Sequence, residues 1–152
     1  MKLNKILCPV DFSDRSDRAL EYAVFIATTN DASLTLVHVV DHLQGEDHFF
    51  ILSLTAEELQ KKLESEARKK LDLLAQKYSD TIKVETVIRA GKPFVEIVRM
   101  AKENDIDQII MGSHGRTGIP HMLLGSVAEK VSRKAPCPVL IFKEKGAKFE
   151  LP

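Results

Sequence analysis

Short apolar runs alternate along this chain with longer segments in which apolar residues recur every three or four positions. A short run rich in Val, Ile and Leu predicts a buried strand, and the longer period predicts an amphipathic helix. The pattern predicts strands at 2–10, 34–40, 82–88, 106–111 and 139–142, with a helical segment between each strand and the next.

The helical segments carry start signals of the expected kind. Ser13 can cap the first helix, and acidic side chains at Asp14 and Asp17 suit the positive end of its dipole. The segment 55–58 is a capping box that opens a long amphipathic helix, and Pro93 takes a favoured first helical position. Four acid–base pairs at i,i+4 spacing predict a solvated outer face for the long helix: Glu57–Lys61, Glu58–Lys62, Glu64–Arg68 and Glu66–Lys70.

The alternation of strands and helices predicts one α/β domain over residues 1–152. Strands that are separated by helices pair in parallel through right-handed crossovers, so helices cover both faces of an open sheet. Ligands of such sheets bind beyond the carboxyl ends of the strands, where the strand order reverses. Two segments compete for that position, namely Pro9-Val10-Asp11 and the glycine-containing segment that begins at Gly112.

A glycine pattern follows the fourth predicted strand. Gly112 ends the apolar run, Gly115 follows, and Gly125-Ser126 stand before the last predicted helix. Glycine lets the backbone approach an anion, and the N–H groups of a helix start point at it, so the pattern indicates a phosphate site and a nucleotide ligand. In the alternative interpretation Gly112 only turns the chain, and Ser126 only caps the helix in a capping box with Glu129.

The charge needed to hold a triphosphate is only partly supplied by this pattern. No lysine precedes Ser126 as it would in a Walker loop, and a helix terminus supplies about half a charge. A divalent ion, Arg116 or Lys130 are candidates for the remainder, and magnesium held mostly by phosphate and water is the favoured interpretation. His114 is a candidate neighbour of the phosphates, whereas a solvated loop residue is the alternative for Arg116.

Asp11 follows the first predicted strand at the expected switch point. Its carboxylate can accept hydrogen bonds from adenine or ribose, or hold a metal-bound water; the alternative is an Asx turn formed with Ser13. The five histidines show no metal-ligand spacing, and His38 is expected to be a hydrogen-bonded core residue within its strand. No Ser–His–Asp set can be assigned as a hydrolase triad, so no nucleophile is predicted.

Composition narrows the class of protein. The chain has 22 basic and 22 acidic side chains, a balance that argues against a large surface for nucleic acid or anionic membrane. No apolar run reaches the roughly 20 residues of a membrane helix, and the N-terminal run is too short for a signal peptide. The cytoplasm is therefore the expected compartment. Cys8 and Cys137 are expected to be free thiols there, because a strand between theirs would hold them beyond disulfide reach.

The last strand is expected to lie at an edge of the sheet, because Pro136 and Pro138 bracket its start. An apolar edge invites pairing, so we expect a two-fold homodimer through this strand. The strand consists of Val139, Leu140, Ile141 and Phe142. The segment 41–54 fits neither period, and a lid over the nucleotide is a hypothesis for it.

Five stretches of the sequence resemble the universal stress protein family, in its ATP-binding branch. They are K-I-L-C-P-V-D-F-S, L-V-H-V-V-D, I-I-M-G-S-H-G-R, G-S-V-A-E and P-C-P-V-L-I-F, which together reach from the first strand to the last. The glycine pattern is the mark of that branch. The resemblance implies a Rossmann-like domain with a five-stranded parallel sheet in the order 3-2-1-4-5, a dimer through the last strand, and bound ATP with Mg or Mn.

The resemblance also implies a role for individual positions around the nucleotide. The adenosine would be contacted by Pro9, Val10 and Asp11, with the backbone of Val39 at the adenine edge. Met111 and Gly112 would lie along the ribose. The phosphates would be cradled by Gly115, Gly125, Ser126 and Val127. Ala128 stands where many relatives have Thr or Ser, which removes a hydroxyl that could contact a phosphate.

These observations predict an ATP-binding stress-response protein that acts as a nucleotide-dependent sensor or adaptor. No obvious base would activate water, so any ATP hydrolysis is expected to be slow. One alternative is a slow ATPase or another nucleotide-processing enzyme, but the S-G-G-x-D-S and H-I-G-H motifs that would favour it are absent from the sequence. The other alternative is an interaction module that binds no nucleotide, against which the intact glycine pattern argues.

Overall fold

The structure is a computed structural model that describes residues 2–41, 55–114 and 124–143. Its strands and helices alternate as the sequence predicts. The elements are β1 (Lys5–Pro9), α1 (Asp14–Asn30), β2 (Ser33–Val40), α2 (Ala56–Gln76), β3 (Val84–Ala90), α3 (Pro93–Glu103), β4 (Gln108–Gly112), α4 (Ser126–Lys134) and β5 (Val139–Phe142). The hypothesis of a lid concerns residues 41–54, of which 42–54 lie outside the described ranges.

All neighbouring strands pair in parallel, in the order β3-β2-β1-β4-β5. This confirms the predicted fold class. From β1 the chain proceeds outward to β2 and β3, and it then crosses back to β4 and β5 on the other side of β1. The carboxyl ends of β1 and β4 therefore form the point where strand order reverses, and a crevice opens there in such sheets.

Helices cover both faces of the sheet with apolar layers. Consecutive residues of a strand point to opposite faces, so Ile110 packs in the layer of α1 and α2, whereas Ile109 packs in the layer of α3 and α4. Leu71 is buried in the first layer and Ile97 in the second. Each buried side chain of this size stabilises the fold by about 1.5–3 kcal/mol relative to an exposed one. No helix in the described ranges has the length and apolarity needed to cross a membrane.

Strand boundaries differ from the predicted ones, most clearly at β3. The chain turns after α2, and the N–H of Ile82 donates to the carbonyl oxygen of Tyr78 at 3.0 Å. This bond holds Ile82 in the turn, so the strand runs from Val84 to Ala90 instead of 82–88. Tyr78 and Ile82 still pack against the layer of α1 and α2, as their apolar spacing predicts. The other corrections are small: β1 is shorter than 2–10, and β4 is shifted from 106–111.

The outer face of α2 keeps one of its four predicted ion pairs, Glu57–Lys61 at 2.6 Å. The Glu58 carboxylate instead completes the capping box with Thr55. Arg68 instead donates to the carbonyl oxygen of Thr86 at 3.1 Å. The side chains of Glu58 and Arg68 lie within reach of backbone groups that need hydrogen-bond partners. Hydrogen bonds to these groups form in preference to exposed ion pairs, because exposed ion pairs contribute little to stability.

Candidate functional site

The turn between β1 and α1 fixes the carboxylate of Asp11. Its Oδ1 accepts hydrogen bonds from the backbone N–H of Ser13 at 3.1 Å and from the Ser13 hydroxyl at 2.6 Å. The Ser13 hydroxyl oxygen also accepts from the N–H of Ser16 and so caps α1. This is the Asx turn given above as the alternative for Asp11. The turn also holds Asp11 in one orientation at the switch point, so the two interpretations are compatible.

Ser16 is part of this turn, although the sequence analysis did not single it out. Its buried hydroxyl accepts the backbone N–H of Asp11 at 3.1 Å. A signal was available, because Ser16 lies three and four positions before Ala19 and Leu20 on the buried face of α1. A polar residue on an apolar stripe needs a hydrogen-bond partner, and here the partner belongs to the site.

Phe12 has a backbone conformation that residues with a side chain seldom adopt, with a φ of 64°. Its ring centroid lies 4.4 Å from that of His38. His38 Nδ1 is 2.8 Å from the carbonyl oxygen of Val10; because a carbonyl only accepts, Nδ1 carries the proton in this bond. The hydrogen bond predicted for His38 in its strand is confirmed, but the residue is half-buried and does not lie in the core as predicted. Lys70 of α2 places its Nζ 5.6 Å from the Phe12 centroid.

Gly112, at the end of β4, lies against the first turn of α1. A Cβ at this position would be 3.2 Å from the carbonyl oxygen of Arg15. That separation is tighter than ordinary van der Waals contact, and the neighbour is backbone, so only glycine lets the two elements approach this closely. The Asp11 turn and the end of β4 are thereby brought together at one edge of the sheet.

The start of α4 is attached to the same edge. The N–H of Ser113 donates to the carbonyl oxygen of Phe142 at 3.1 Å, and the N–H of Gly125 donates to the carbonyl oxygen of Ser113 at 2.8 Å. Gly125 is the N-cap, with an extended backbone (φ −68°, ψ 150°), and Ser126 is the first helical residue. The carbonyl oxygen of Gly125 accepts the N–H of Glu129 at 2.9 Å, the first bond of the helix, so Gly125 and not Ser126 is the cap and the capping-box interpretation of Ser126 is wrong.

Two helix starts thus lie at the carboxyl edge, and they differ in what fills them. α1 is capped by the Ser13 side chain and carries Asp14 and Asp17 in its first turn. At α4 no side chain caps the helix in the described structure, and the N–H groups of Ser126 and Val127 have no partner among the described residues. One acidic side chain, Glu129, lies in this first turn and forms an ion pair with Arg133 at 3.4 Å. Both starts carry the positive end of a helix dipole, but the two acidic side chains at α1 oppose a bound anion more than the ion-paired Glu129 at α4 does.

The remaining predicted residues have the following places. Pro9 is the last residue of β1. Val10 is buried, and its N–H donates to the carbonyl oxygen of Val37. Val39 lies near the carboxyl end of β2. Buried Met111 precedes Gly112, and Nδ1 of His114 is 3.1 Å from the Ser113 hydroxyl. Gly115 and Arg116 lie outside the described residues.

The side chain of Lys130 contacts an aromatic ring on the neighbouring helix α3. Its Nζ lies 5.1 Å from the ring centroid of Phe94 on α3, a distance typical of a cation–π contact. Lys130 was one of three candidates for the positive charge that a bound triphosphate needs, and it has the Phe94 ring as a partner instead. The other two candidates, a divalent ion and Arg116, would then have to balance the charge of the phosphates.

Comparison with known proteins identifies the family. Residues 2–143 match the universal stress protein family. The chain belongs to this family. Universal stress protein MJ0577 of Methanocaldococcus jannaschii is 36% identical over 156 residues, which cover 94% of this chain and 96% of the relative.

Solved universal stress proteins have the same fold. The structure of hypothetical protein MJ0577 has a TM-score of 0.82 at 37% identity and covers 96% of this chain and 99% of its own. A universal stress protein in complex with cAMP has a TM-score of 0.66 at 26% identity and covers 94% and 99%. The universal stress protein from Archaeoglobus fulgidus in complex with dAMP has a TM-score of 0.64 at 26% identity and covers 93% and 98%.

Proposed function

We propose that this universal stress protein binds an adenine nucleotide at the carboxyl ends of β1 and β4, and that it acts as a nucleotide-dependent stress-response sensor or adaptor in the cytoplasm. The observation that carries the proposal is the contrast between the two helix starts at this edge. The Ser13 side chain caps α1 beside two acidic residues, whereas α4 has no side-chain cap in the described structure and begins at Gly125, which is bonded to Ser113. The relatives in complex with cAMP and dAMP support an adenine ligand.

In this proposal each part of the nucleotide has its own neighbours. The adenosine lies beside Pro9, Val10 and Asp11, with its base at the backbone of Val39. The ribose follows Met111 and Gly112, and the phosphates reach the start of α4. The phosphate cradle consists of Gly125, Ser126 and Val127, together with Gly115 and Arg116 from the segment between β4 and α4 and with His114 beside it.

A divalent ion fits this site only as a companion of the phosphates. The described residues contain no group of three or more His, Cys, Asp or Glu side chains placed to hold a metal. Magnesium or manganese would therefore be held by phosphate oxygens and water, a mode that Mg²⁺ readily adopts. The ion would supply the positive charge that the half-charge of α4 leaves unbalanced.

We further propose that the protein works by binding and not by rapid turnover. The sequence offers no obvious base to activate a water, as rapid hydrolysis would require. The two hydrogen bonds from Ser13 to Oδ1 of Asp11 hold this carboxylate in the Asx turn, an arrangement that suits binding. An ATPase would show steady-state turnover well above about one per minute, which the adaptor interpretation does not allow.

The first experiment tests whether the purified protein already carries a nucleotide or binds one that is added. The protein is prepared without added nucleotide and denatured, and any released small molecule is identified by mass spectrometry. ATP and AMP are then titrated into the wild type by calorimetry. A protein that releases and binds none would contradict the proposal and favour the interaction module.

Two proline variants test whether the start of α4 binds the phosphates of the nucleotide. Ser126→Pro removes the first N–H of α4 at a position where proline is favoured, after a residue whose backbone is already extended. Asp14→Pro likewise removes the first N–H of α1, after extended Ser13, and in addition removes an acidic charge. We expect Ser126→Pro to weaken ATP binding about ten- to a hundredfold, because a charge-assisted hydrogen bond is lost. Equal affinities of the two variants would contradict the phosphate cradle.

A further inference from the structure

The turn that carries Asp11 is joined to helix α2 by three side chains, which we call the Phe12 cluster: Phe12, His38 and Lys70. The Phe12 ring lies 4.4 Å from the His38 ring and 5.6 Å from the ammonium of Lys70, measured at ring centroids. His38 is itself bonded to the carbonyl oxygen of Val10 in the turn. The cluster therefore connects β2 and α2 with the residues on either side of Asp11.

The backbone of Phe12 shows why these contacts are needed. A φ of 64° places its Cβ close to the following carbonyl, which is unfavourable for any residue except glycine. Such a conformation persists only where the surroundings hold it. Phe12 links Asp11 to Ser13, the two residues that form the Asx turn. The contacts of the Phe12 ring therefore help to fix where the Asp11 carboxylate points.

We propose that Phe12 is a positioning residue of the nucleotide site, and that its cation–π contact with Lys70 couples helix α2 to nucleotide affinity through Asp11. This inference rests on the proposed nucleotide binding. Phe12 and Lys70 act without touching the ligand, by holding the turn in its binding conformation. Coupling of this kind is reciprocal, so a nucleotide that fixes Asp11 also favours the contact of Lys70. Nucleotide binding at the site therefore changes how often the Lys70 contact forms on the exposed side of α2.

Lys70 offers a test that leaves the fold intact, because it is exposed on α2. Lys70→Met removes the cation and keeps a long apolar side chain, whereas Lys70→Arg keeps a cation that can lie over the ring. Lys69→Met is the matched control, since it removes the neighbouring exposed charge from the same helix. Dissociation constants are measured by calorimetry for ATP and for uncharged adenosine.

We expect Lys70→Met to weaken both ligands about two- to fivefold, while Lys70→Arg and Lys69→Met stay close to the wild type. A loss for ATP alone would overturn the inference, because it would reflect long-range attraction of the phosphates. In a Phe12→Leu background, Lys70→Met is expected to have no further effect, since the ring that it contacts is gone. An undiminished effect there would also overturn it.

A second measurement needs no nucleotide and so separates this inference from the proposed function. In ¹H–¹⁵N spectra of the nucleotide-free protein, the amide signals of Asp11 and Ser13 are expected to shift in Lys70→Met and not in Lys69→Met. Unshifted signals would overturn the coupling even if the wild type binds ATP. If the wild type binds neither ATP nor adenosine, the proposed function fails, and with it the role of Phe12 in nucleotide affinity.

Discussion

The backbone N–H of Gly125 donates a hydrogen bond of 2.8 Å to the carbonyl oxygen of Ser113. Ser113 is buried and is itself bonded to Phe142 of β5, so the bond lies in a region of low dielectric, where hydrogen bonds are strong. It attaches the start of α4 directly to the ends of β4 and β5. The sheet therefore sets the position of the helix start that we propose for the phosphates.

Gly112→Ala is expected to destabilise the protein by about 1–3 kcal/mol, as overpacked positions do. The added Cβ would lie 3.2 Å from the carbonyl oxygen of Arg15, and a backbone neighbour cannot rotate away. Urea denaturation of both proteins measures the difference. Arg15→Ala is the control, because it keeps the carbonyl and removes only the side chain. A Gly112→Ala protein as stable as the wild type would show that α1 can shift without cost.

Asp107 connects the start of β1 with the segment that leads into β4. Its Oδ2 accepts the backbone N–H groups of Asn4 at 2.8 Å and Lys5 at 2.9 Å. The bond from Asn4, followed by that from Lys5, lowers the pKa of the Asp107 carboxyl below its ordinary value. The unfolded chain therefore takes up this proton more readily than the folded one. The carboxylate contributes stability above its unfolded pKa of about 4, and loses it as pH falls through the lowered folded pKa.

Asp107→Asn is accordingly expected to lower the melting temperature at pH 7, and the difference from the wild type should shrink as the pH is lowered below about 4. Thermal unfolding followed by circular dichroism at several pH values measures it. Asp105→Asn is the control, because the Asp105 side chain makes no hydrogen bond within the described residues. A deficit that persists unchanged at low pH would mean that the charge of Asp107 is not what stabilises the strand.

The elements that the sequence predicts well are those that depend on local pattern. The start of α1 follows from Ser13 and its two acidic neighbours, and the structure has the cap where the residue types require it. The hydrophobic periodicity does not predict the order of the strands in the sheet; the family resemblance implies that order. Parallel pairing itself followed from the alternation of strands and helices.

Two features of the candidate site depend on contacts that no local pattern reveals. Gly125 and Ser126 are both good N-cap residues; the structure has Gly125 as the cap, and its N–H is bonded to the carbonyl oxygen of Ser113 near the end of β4. The left-handed backbone of Phe12 has no signal in the residue type, because phenylalanine rarely adopts it. It is held by His38 and Lys70, which lie on other elements.

Both cysteines are free thiols in the structure, in which β4 separates β1, the strand of Cys8, from β5, which begins shortly after Cys137. Burial raises the pKa of the Cys8 thiol to about 12, and partial burial also raises the pKa of Cys137. Since the thiolate is the reactive form, we expect slow labelling of Cys137 and none of Cys8 in the native protein. In denaturant two thiols should react, with or without prior reduction. A titre that rises by two after reduction would contradict the strand order.

The two edges of the sheet are covered differently. At β3, Arg68 donates to the carbonyl oxygen of Thr86 at 3.1 Å, and the Thr86 hydroxyl donates to Asp72 at 2.7 Å. Side chains of α2 thus occupy part of that edge strand, as proteins commonly do at edges that must stay unpaired. Among the described residues no side chain forms a hydrogen bond with β5, whose backbone pairs with β4 and, at Phe142, with Ser113. This asymmetry supports our proposal that β5 (Val139–Phe142) pairs with a second copy.

A row of aromatic side chains extends from β5 onto α1 and supplies the test of that dimer. The Phe142 ring lies 5.7 Å from Tyr22, and Tyr22 lies 6.1 Å from Phe25, which is 60% exposed. Phe25→Lys is expected to raise the dimer dissociation constant about tenfold or more, as loss of an aromatic anchor does. Leu73→Lys on α2, at a side chain that is 63% exposed, makes the same chemical change away from the row and should leave the dimer intact. Sedimentation equilibrium measures both. A wild type that is monomeric at micromolar concentration would contradict the dimer, and equal weakening by both variants would assign the effect to added charge instead of to this surface.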